Sequence, residues 1–294
     1  MKKLFESFLS ERFRENTERI IIWIAIASFV IHLLVIFLVS KNWLHLDSKL
    51  TQNPISAIYT PFSFILVYEV FLLVFYLPRS ISTYIGKQYE IMTLIVIRRI
   101  FKDIGNIKMS ADWFTVQSDL QFTYDLATAI ILFFLIQQFY KQLYKKLQEP
   151  RSLTTKEKDR INRFIEFKKV IAKVLIPIVI ILAVYSFINW MVSIQQTTVS
   201  EIATFKNINN IFFEDFFILL IIIDVILLLL SFFYSDNFHK IIRNSGFVIS
   251  TILIKISFSV EGIINNALIV GAVIFGFLIL LIHNRYRDSD EVQI

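Results

Sequence analysis

The dominant feature of the sequence is a series of apolar runs, each roughly 20 residues long, which is the length of a helix that crosses a bilayer. The runs are continuous rather than alternating, which favours helices over the strands of a membrane barrel. In hydrocarbon every backbone N–H and C=O group needs a partner, and a helix provides these partners internally. With 56% hydrophobic residues and 30 phenylalanines among 294 residues, the chain is too apolar for a soluble domain. The sequence therefore predicts an all-α integral membrane protein.

Eight segments are predicted to cross the membrane. They are Ile20–Ser40, Tyr59–Leu77, Tyr84–Ile104, Leu120–Tyr140, Val170–Trp190, Phe216–Tyr234, Gly246–Val260 and Asn265–Ile282. The third segment carries many charges, and hydropathy alone also allows an interfacial or a re-entrant helix. It is assigned as a crossing because the basic regions before and after the first four segments are expected on the same side, which requires an even number of crossings.

Charged segments flank the predicted spans and predict their orientation. Residues 1–19 have apolar residues at helical spacing and basic residues on the other face, which indicates an amphipathic helix on the membrane surface. A linker at 146–169 lies in the most basic part of the chain. The positive-inside rule therefore places this linker, the N-terminus and the tail at 286–294 in the cytoplasm of a multi-pass protein of the cell (inner) membrane.

The two halves of the chain share a pattern that indicates an internal repeat. Glu69 and Asp224 are isolated acids at matching places in two apolar runs, 155 residues apart. Asn-Trp pairs at 42–43 and 189–190 close the first and fifth spans. We therefore expect two four-helix repeats, 20–145 and 170–285, that are parallel because both begin and end on the same side. Convergent hydropathy without duplication is the alternative.

Several ionisable side chains fall inside the predicted spans. In the first half, counting along regular helices places Glu69 and Lys87 at similar depth, roughly 13 Å from the inner end, with Glu90 further out and His32 near the middle. Buried charges are costly in lipid, so these groups are expected to face the bundle interior. With Asp224 they form the candidate pathway for protons or cations. Alternatively, a Glu69–Lys87 pair locks two helices, and His32 is inert.

Other features have structural interpretations. Either Arg98 or Arg99 is expected to pair with Asp125, and Lys255 stands near the place of Arg98 in the second half. Glycines in the last span predict close helix contact, at Gly271 and Gly276.

The sequence excludes several classes of function. There are no cysteines, so disulfides and Cys-ligated metal sites are excluded. No P-loop, HExxH or GxSxG motif is present, and one deep histidine does not make a haem site, so neither an enzyme nor a cofactor is expected. The net charge of +6 is explained by basic residues beside the spans, so a nucleic-acid partner is not expected.

The favoured function is a proton- or cation-conducting channel or transporter with an intramembrane carboxylate relay. The alternative is a non-catalytic membrane scaffold, or a subunit of a larger membrane complex, in which buried charges fix helix packing. The expected partners are the lipid bilayer, protons or monovalent cations, and either further copies of the chain in a homo-oligomer or other membrane subunits.

Overall fold

A computed structural model of the protein describes residues 10–43, 57–104, 117–147, 155–196, 201–234 and 238–292. Within these residues the long regular elements are eight α-helices. They are α1 (Glu11–Ser40), α2 (Tyr59–Tyr76), α3 (Ile81–Ile104), α4 (Gln117–Leu147), α5 (Thr155–Gln196), α6 (Glu201–Tyr234), α7 (Phe238–Ser257) and α8 (Gly262–Val292).

Among the described residues, four helical segments are long and apolar enough to cross a membrane. They are Glu11–Ser40, Asp119–Lys145, Phe216–Phe233 and Gly262–Tyr286. They lie in α1, α4, α6 and α8, and they indicate a membrane protein with helical spans. The third predicted segment forms a single uninterrupted helix, α3.

Helix α1 has well-defined ends that the local sequence explains. Ser10 is its N-cap, and the Ser10 hydroxyl accepts a hydrogen bond from the Phe13 amide at 3.2 Å. At the other end Asn42 has a φ of 59°, a left-handed conformation that asparagine tolerates better than most residues. The amides of Asn42 and Trp43 donate back to the carbonyls of Val39 and Leu38, which is the Schellman arrangement of a helix C-terminus.

The domain boundaries drawn from the sequence do not coincide with breaks in the helices. Helix α1 is continuous across position 19, and residues 1–9 of the predicted interfacial helix lie outside the described part of the chain. Of the predicted linker, 148–154 is likewise not described, and α5 begins at Thr155. Helix α8 extends to Val292, well into the predicted tail.

The chain divides into two compact units. The first contains Met1–Phe75 and Glu90–Ile131, and the second contains Tyr76–Tyr89 and Leu132–Ile294. Helices α3 and α4 therefore contribute residues to both units.

In the first unit, α1 and α2 form an antiparallel pair. Phe13 packs edge-on against Phe71 with ring centroids 5.9 Å apart. Further along, the Tyr68 hydroxyl donates to Glu18 at 3.0 Å. Because successive contacts move up α1 and down α2, the two helices run in opposite directions side by side.

In the second unit, α7 packs against both α6 and α8, and α5 packs against α6. The core of this unit is rich in aromatic residues. Fully buried rings come from four helices of the chain: Tyr84, Tyr89, Phe139, Phe216, Phe217 and Phe247. Two of these rings, those of Tyr84 and Tyr89, carry hydroxyl groups, which place polar atoms in the core.

Glycine at position 276 is required by the packing of α8. A Cβ atom at this position would lie 1.7 Å from the Tyr89 hydroxyl oxygen, far inside van der Waals contact. The expectation of close contact is thus confirmed at Gly276. It is wrong at Gly271, where a Cβ atom would have no neighbour within 4 Å, because this face of α8 points away from the packed helices.

Candidate functional site: two buried carboxylates

The second unit places Asp224 within a buried polar cluster. Asp224 lies in the middle of the apolar segment Phe216–Phe233 of α6, and it is 5% exposed. The Gln88 amide on α3 donates to its carboxylate, with Nε2 to Oδ2 at 3.3 Å. The hydroxyls of Tyr84 and Thr251 also lie near the carboxylate. The groups holding Asp224 in this cluster are thus uncharged.

The cluster can exchange hydrogen bonds internally. The Thr251 hydroxyl lies 2.8 Å from the Gln88 carbonyl oxygen and donates to it, while the same hydroxyl is within reach of Asp224. A threonine hydroxyl has one proton to donate, so it serves either acceptor. Thr251 can therefore change partner when the charge on Asp224 changes.

A second hydrogen-bonded chain is formed by Tyr89, the residue after Gln88 on α3, and Ser250, the residue before Thr251 on α7. The Ser250 hydroxyl donates to the Ala272 carbonyl on α8 at 2.7 Å, and the Tyr89 hydroxyl is 2.8 Å from the Ser250 oxygen. Since Ser250 has only one proton, Tyr89 is the donor to Ser250. This chain ties α3, α7 and α8 together beside the Asp224 cluster.

The space beside Asp224 is very small. A cavity of about 10 Å³ is lined by Asp224, by Asn244 and by apolar side chains that include Ile85 and Phe247. This volume is at the limit for one water molecule. A proton can reach such a site, whereas a larger solute cannot occupy it without a rearrangement of the helices.

In the first unit, Glu69 is also 5% exposed, but its electrostatic environment differs. The guanidinium of Arg98 on α3 is within electrostatic reach of the carboxylate, and Arg98 is itself buried. The carboxyl group of Glu69 and the guanidinium of Arg98 therefore lie in the same buried region of this unit.

The remaining predicted pathway residues are distributed over both units. His32 Nδ1 is hydrogen-bonded to the Thr60 hydroxyl, which links α1 to α2. Glu90 is half-buried on α3 in the first unit. Lys87 belongs to the second unit, where its ammonium lies over the rings of Tyr76 and Tyr140, at 5.0 and 6.0 Å from the centroids.

The structure contains one of the expected ion pairs and also locates Lys255. Arg99 Nη2 lies 3.0 Å from Asp125 Oδ1, and Gln121 also donates to this oxygen at 2.8 Å. Asp125 is completely buried. Lys255 is half-buried in the last turn of α7, where a cation interacts favourably with the helix dipole.

Sequence reasoning missed the residues that surround Asp224. Gln88 and Tyr84 are four residues apart, so they share one face of α3. Ser250 and Thr251 are adjacent polar residues within an apolar helix. The helical spacing of these polar residues could have indicated the site. The prediction relied instead on nearby charged residues such as Lys87.

Comparisons with known proteins do not assign a family. No family model matches the chain, and neither a curated protein nor a solved structure is significantly similar to it. Among the described residues, no group of three or more His, Asp or Glu side chains is placed to hold a metal ion. Function is therefore argued from the two carboxylate sites.

Proposed function

We propose that this chain is a membrane protein that translocates protons or monovalent cations, with Asp224 as the group that binds the transported charge. The observation that carries the proposal is a carboxylate that is buried midway along a membrane-length helix, hydrogen-bonded by Gln88 and close to the hydroxyls of Thr251 and Tyr84. A buried ion costs several kcal/mol unless it is compensated. Because these compensating groups are neutral, protonation of Asp224 leaves no new unpaired cation within the cluster.

The small cavity favours a proton over a larger cation. A space for one water molecule beside Asp224 suits a proton that arrives through water and hydroxyl groups. The Thr251 hydroxyl then turns from Asp224 to the Gln88 carbonyl oxygen when the carboxylate is neutralised. This switch keeps the Thr251 hydroxyl hydrogen-bonded in both protonation states.

Within this proposal the first unit supplies a second part of the pathway. Glu69 is its acidic group, with Glu90 and His32 as further proton-binding groups, and Lys87 of the second unit completes the set. The buried Arg98 is within electrostatic reach of Glu69, whereas the groups around Asp224 are neutral. We therefore assign the change of charge to Asp224.

The proposed architecture comprises eight spans in two parallel four-helix repeats. The four helices of membrane length are joined in this proposal by α2, α3, α5 and α7. Both termini lie in the cytoplasm, and the protein resides in the cell (inner) membrane, where it assembles as a homo-oligomer or with other membrane subunits. No nucleic-acid partner, cofactor or catalytic step is involved.

Proton flux into liposomes tests the function directly. The purified protein is reconstituted, a pH gradient is applied, and internal pH is followed with a trapped dye. We expect the parent to acidify the lumen and Asp224→Asn to lose at least about 90% of the flux, since an amide does not bind a proton at neutral pH. Asp159→Asn makes the same change at an exposed position of α5 and should retain full flux. Undiminished flux in Asp224→Asn would remove Asp224 from the mechanism.

A scaffold is the second candidate, and the exposure of α1 favours it. Only two of its described residues, Ala25 and Ile36, are buried, and Trp23 is 71% exposed. Such a face contacts either lipid or the spans of another subunit. If the scaffold is correct, the parent conducts no protons, and Trp23→Ala combined with Ile31→Ala lowers the mass of the assembly measured in detergent. An unchanged mass would argue against α1 as a subunit contact.

A further inference from the structure

A cavity separate from the Asp224 cluster lies between the start of α7 and the end of α8. Its volume is about 100 Å³, roughly ten times that of the cavity beside Asp224. His239 and Arg243 line it from α7, and His283 lines it from α8. Three nitrogen-bearing side chains therefore face one opening in the second unit.

The polar side chains of this cavity are held in fixed positions. The Asn244 side-chain oxygen accepts from Arg243 Nε at 3.2 Å and from Nη2 at 3.0 Å. Arg243 Nη1 lies 3.2 Å from His283 Nε2, and His283 Nδ1 is 3.2 Å from the His239 carbonyl. Since the arginine donates to Nε2, the proton of a neutral His283 is on Nδ1. A preorganised arginine binds an anion at low entropic cost.

A second cation adds to the positive potential around Arg243. Lys168, in the part of α5 before the predicted fifth span, is buried and donates to the Arg79 carbonyl. Burial, with a smaller contribution from the charge of Arg243, lowers the pKa of Lys168 to about 8. Two cations that repel each other in a partly buried region favour an anion between or beside them.

The rest of the cavity wall is apolar and accessible. Phe238 is 74% exposed and Tyr286 is 61% exposed, and Ile282 is also exposed. The α8 wall belongs to the last turns of the membrane-length segment Gly262–Tyr286. In the proposed topology the cavity therefore lies at the end of a span, at the level where lipid headgroups meet the acyl chains.

We propose that this cavity binds the phosphate headgroup of an anionic phospholipid. Arg243, with its planar set of donors, contacts the phosphate, and His239 provides a further hydrogen bond. The acyl chains extend over Phe238 and Ile282. A free phosphate ion has the same headgroup chemistry, but it leaves this apolar rim uncovered, so the lipid is the better match.

Lipid binding by the full-length protein tests the proposal. Native mass spectrometry from detergent measures the occupancy of phosphatidylglycerol, with phosphatidylcholine as the zwitterionic comparison. We expect phosphatidylglycerol to bind more tightly and Arg243→Gln to weaken it roughly tenfold, as loss of a charge-assisted hydrogen bond does. Arg163→Gln removes the same charge from an exposed position on α5 and should bind like the parent.

Two further measurements distinguish lipid binding from binding of a free anion and from a loss of folding. Ile242→Trp fills the cavity from an exposed lining position without removing a charge, and it should also lower phosphatidylglycerol occupancy; it replaces Arg243→Gln if that variant does not fold. Inorganic phosphate at equal concentration should not displace the lipid. Displacement by phosphate would assign the cavity to a free anion, and equal binding by the parent, Arg243→Gln and Ile242→Trp would overturn the proposal.

Discussion

Each of the two units buries a carboxyl group in an apolar helix, but the groups that surround it differ. Asp224 in the second unit is hydrogen-bonded by Gln88 and lies near the hydroxyls of Thr251 and Tyr84, all of which are neutral. Glu69 in the first unit lies within electrostatic reach of a buried guanidinium, that of Arg98. Protonation of a carboxylate that is surrounded by neutral groups leaves no uncompensated charge. Protonation of a carboxylate beside a cation removes the counter-charge of that buried cation. The comparison teaches that equal placement in sequence does not give equal chemistry.

The largest expected effect concerns the packing that encloses the Asp224 cluster. Gly276→Ala should destabilise the protein by about 3 kcal/mol, because its Cβ would collide with the Tyr89 hydroxyl and overpacking costs of this size are typical. Gly271→Ala, on the same helix with open space around it, is the matched control and should be neutral or slightly stabilising. Reversible unfolding in detergent measures both, and Tyr89→Phe should partly rescue Gly276→Ala. Equal stability of the two glycine variants would contradict this packing.

A smaller effect is expected when the counter-ion of the first unit is removed. Arg98→Gln should cost about 2 kcal/mol, because it leaves the buried Glu69 uncompensated. Adding Glu69→Gln should recover most of the loss. A double-mutant cycle of unfolding free energies measures the coupling, and a coupling energy near zero would show that Arg98 and Glu69 act independently.

Removal of a neutral donor in the second unit should cost less. Gln88→Leu should destabilise by about 1 to 2 kcal/mol, as expected for a buried hydrogen-bonding group that loses a neutral partner. In the background of Asp224→Asn the same change should cost less, because an amide is cheaper to bury than a carboxylate. If Gln88→Leu cost more than Arg98→Gln, the contrast between the two units would be wrong.

The smallest effect is a pH dependence, and it comes from the buried cation of the second unit. The pKa of Lys168 is about 8 in the folded protein, below its ordinary value, so folding disfavours the charged form. The penalty is complete below pH 8 and is lost as the pH rises towards the unfolded pKa. Stability should therefore increase by about 1 kcal/mol between pH 7 and pH 9, relative to Lys168→Met. Parallel pH profiles for the two proteins would contradict this assignment.

Much of the secondary structure was predictable, because long apolar runs bounded by proline, asparagine and charged residues leave the backbone little choice. Pro78 follows the end of α2 at Tyr76, and Asn42 caps α1. The surroundings of Asp224 were not predictable in the same way. Gln88 is 136 residues away in sequence, and only the packing of helices within the second unit brings the two side chains together.

The sequence likewise did not show which glycine of α8 lies against a neighbouring helix. Gly271 and Gly276 are five residues apart, and this spacing alone does not say which one meets a neighbouring helix. The rotation of α8 is set by the side chains it packs against, including Tyr89. Charged residues are the most conspicuous polar residues in an apolar sequence. The more complete site, however, is formed by the neutral polar residues around Asp224.

The central claim is that Asp224 itself takes up and releases a proton. Infrared difference spectroscopy of the reconstituted protein across a pH titration measures this directly through the carbonyl stretch of a protonated carboxyl group. The account predicts a band that appears on acidification, is lost in Asp224→Asn, and persists in Glu69→Gln. A carboxyl band that is unchanged by Asp224→Asn, or one that disappears only in Glu69→Gln, would contradict it.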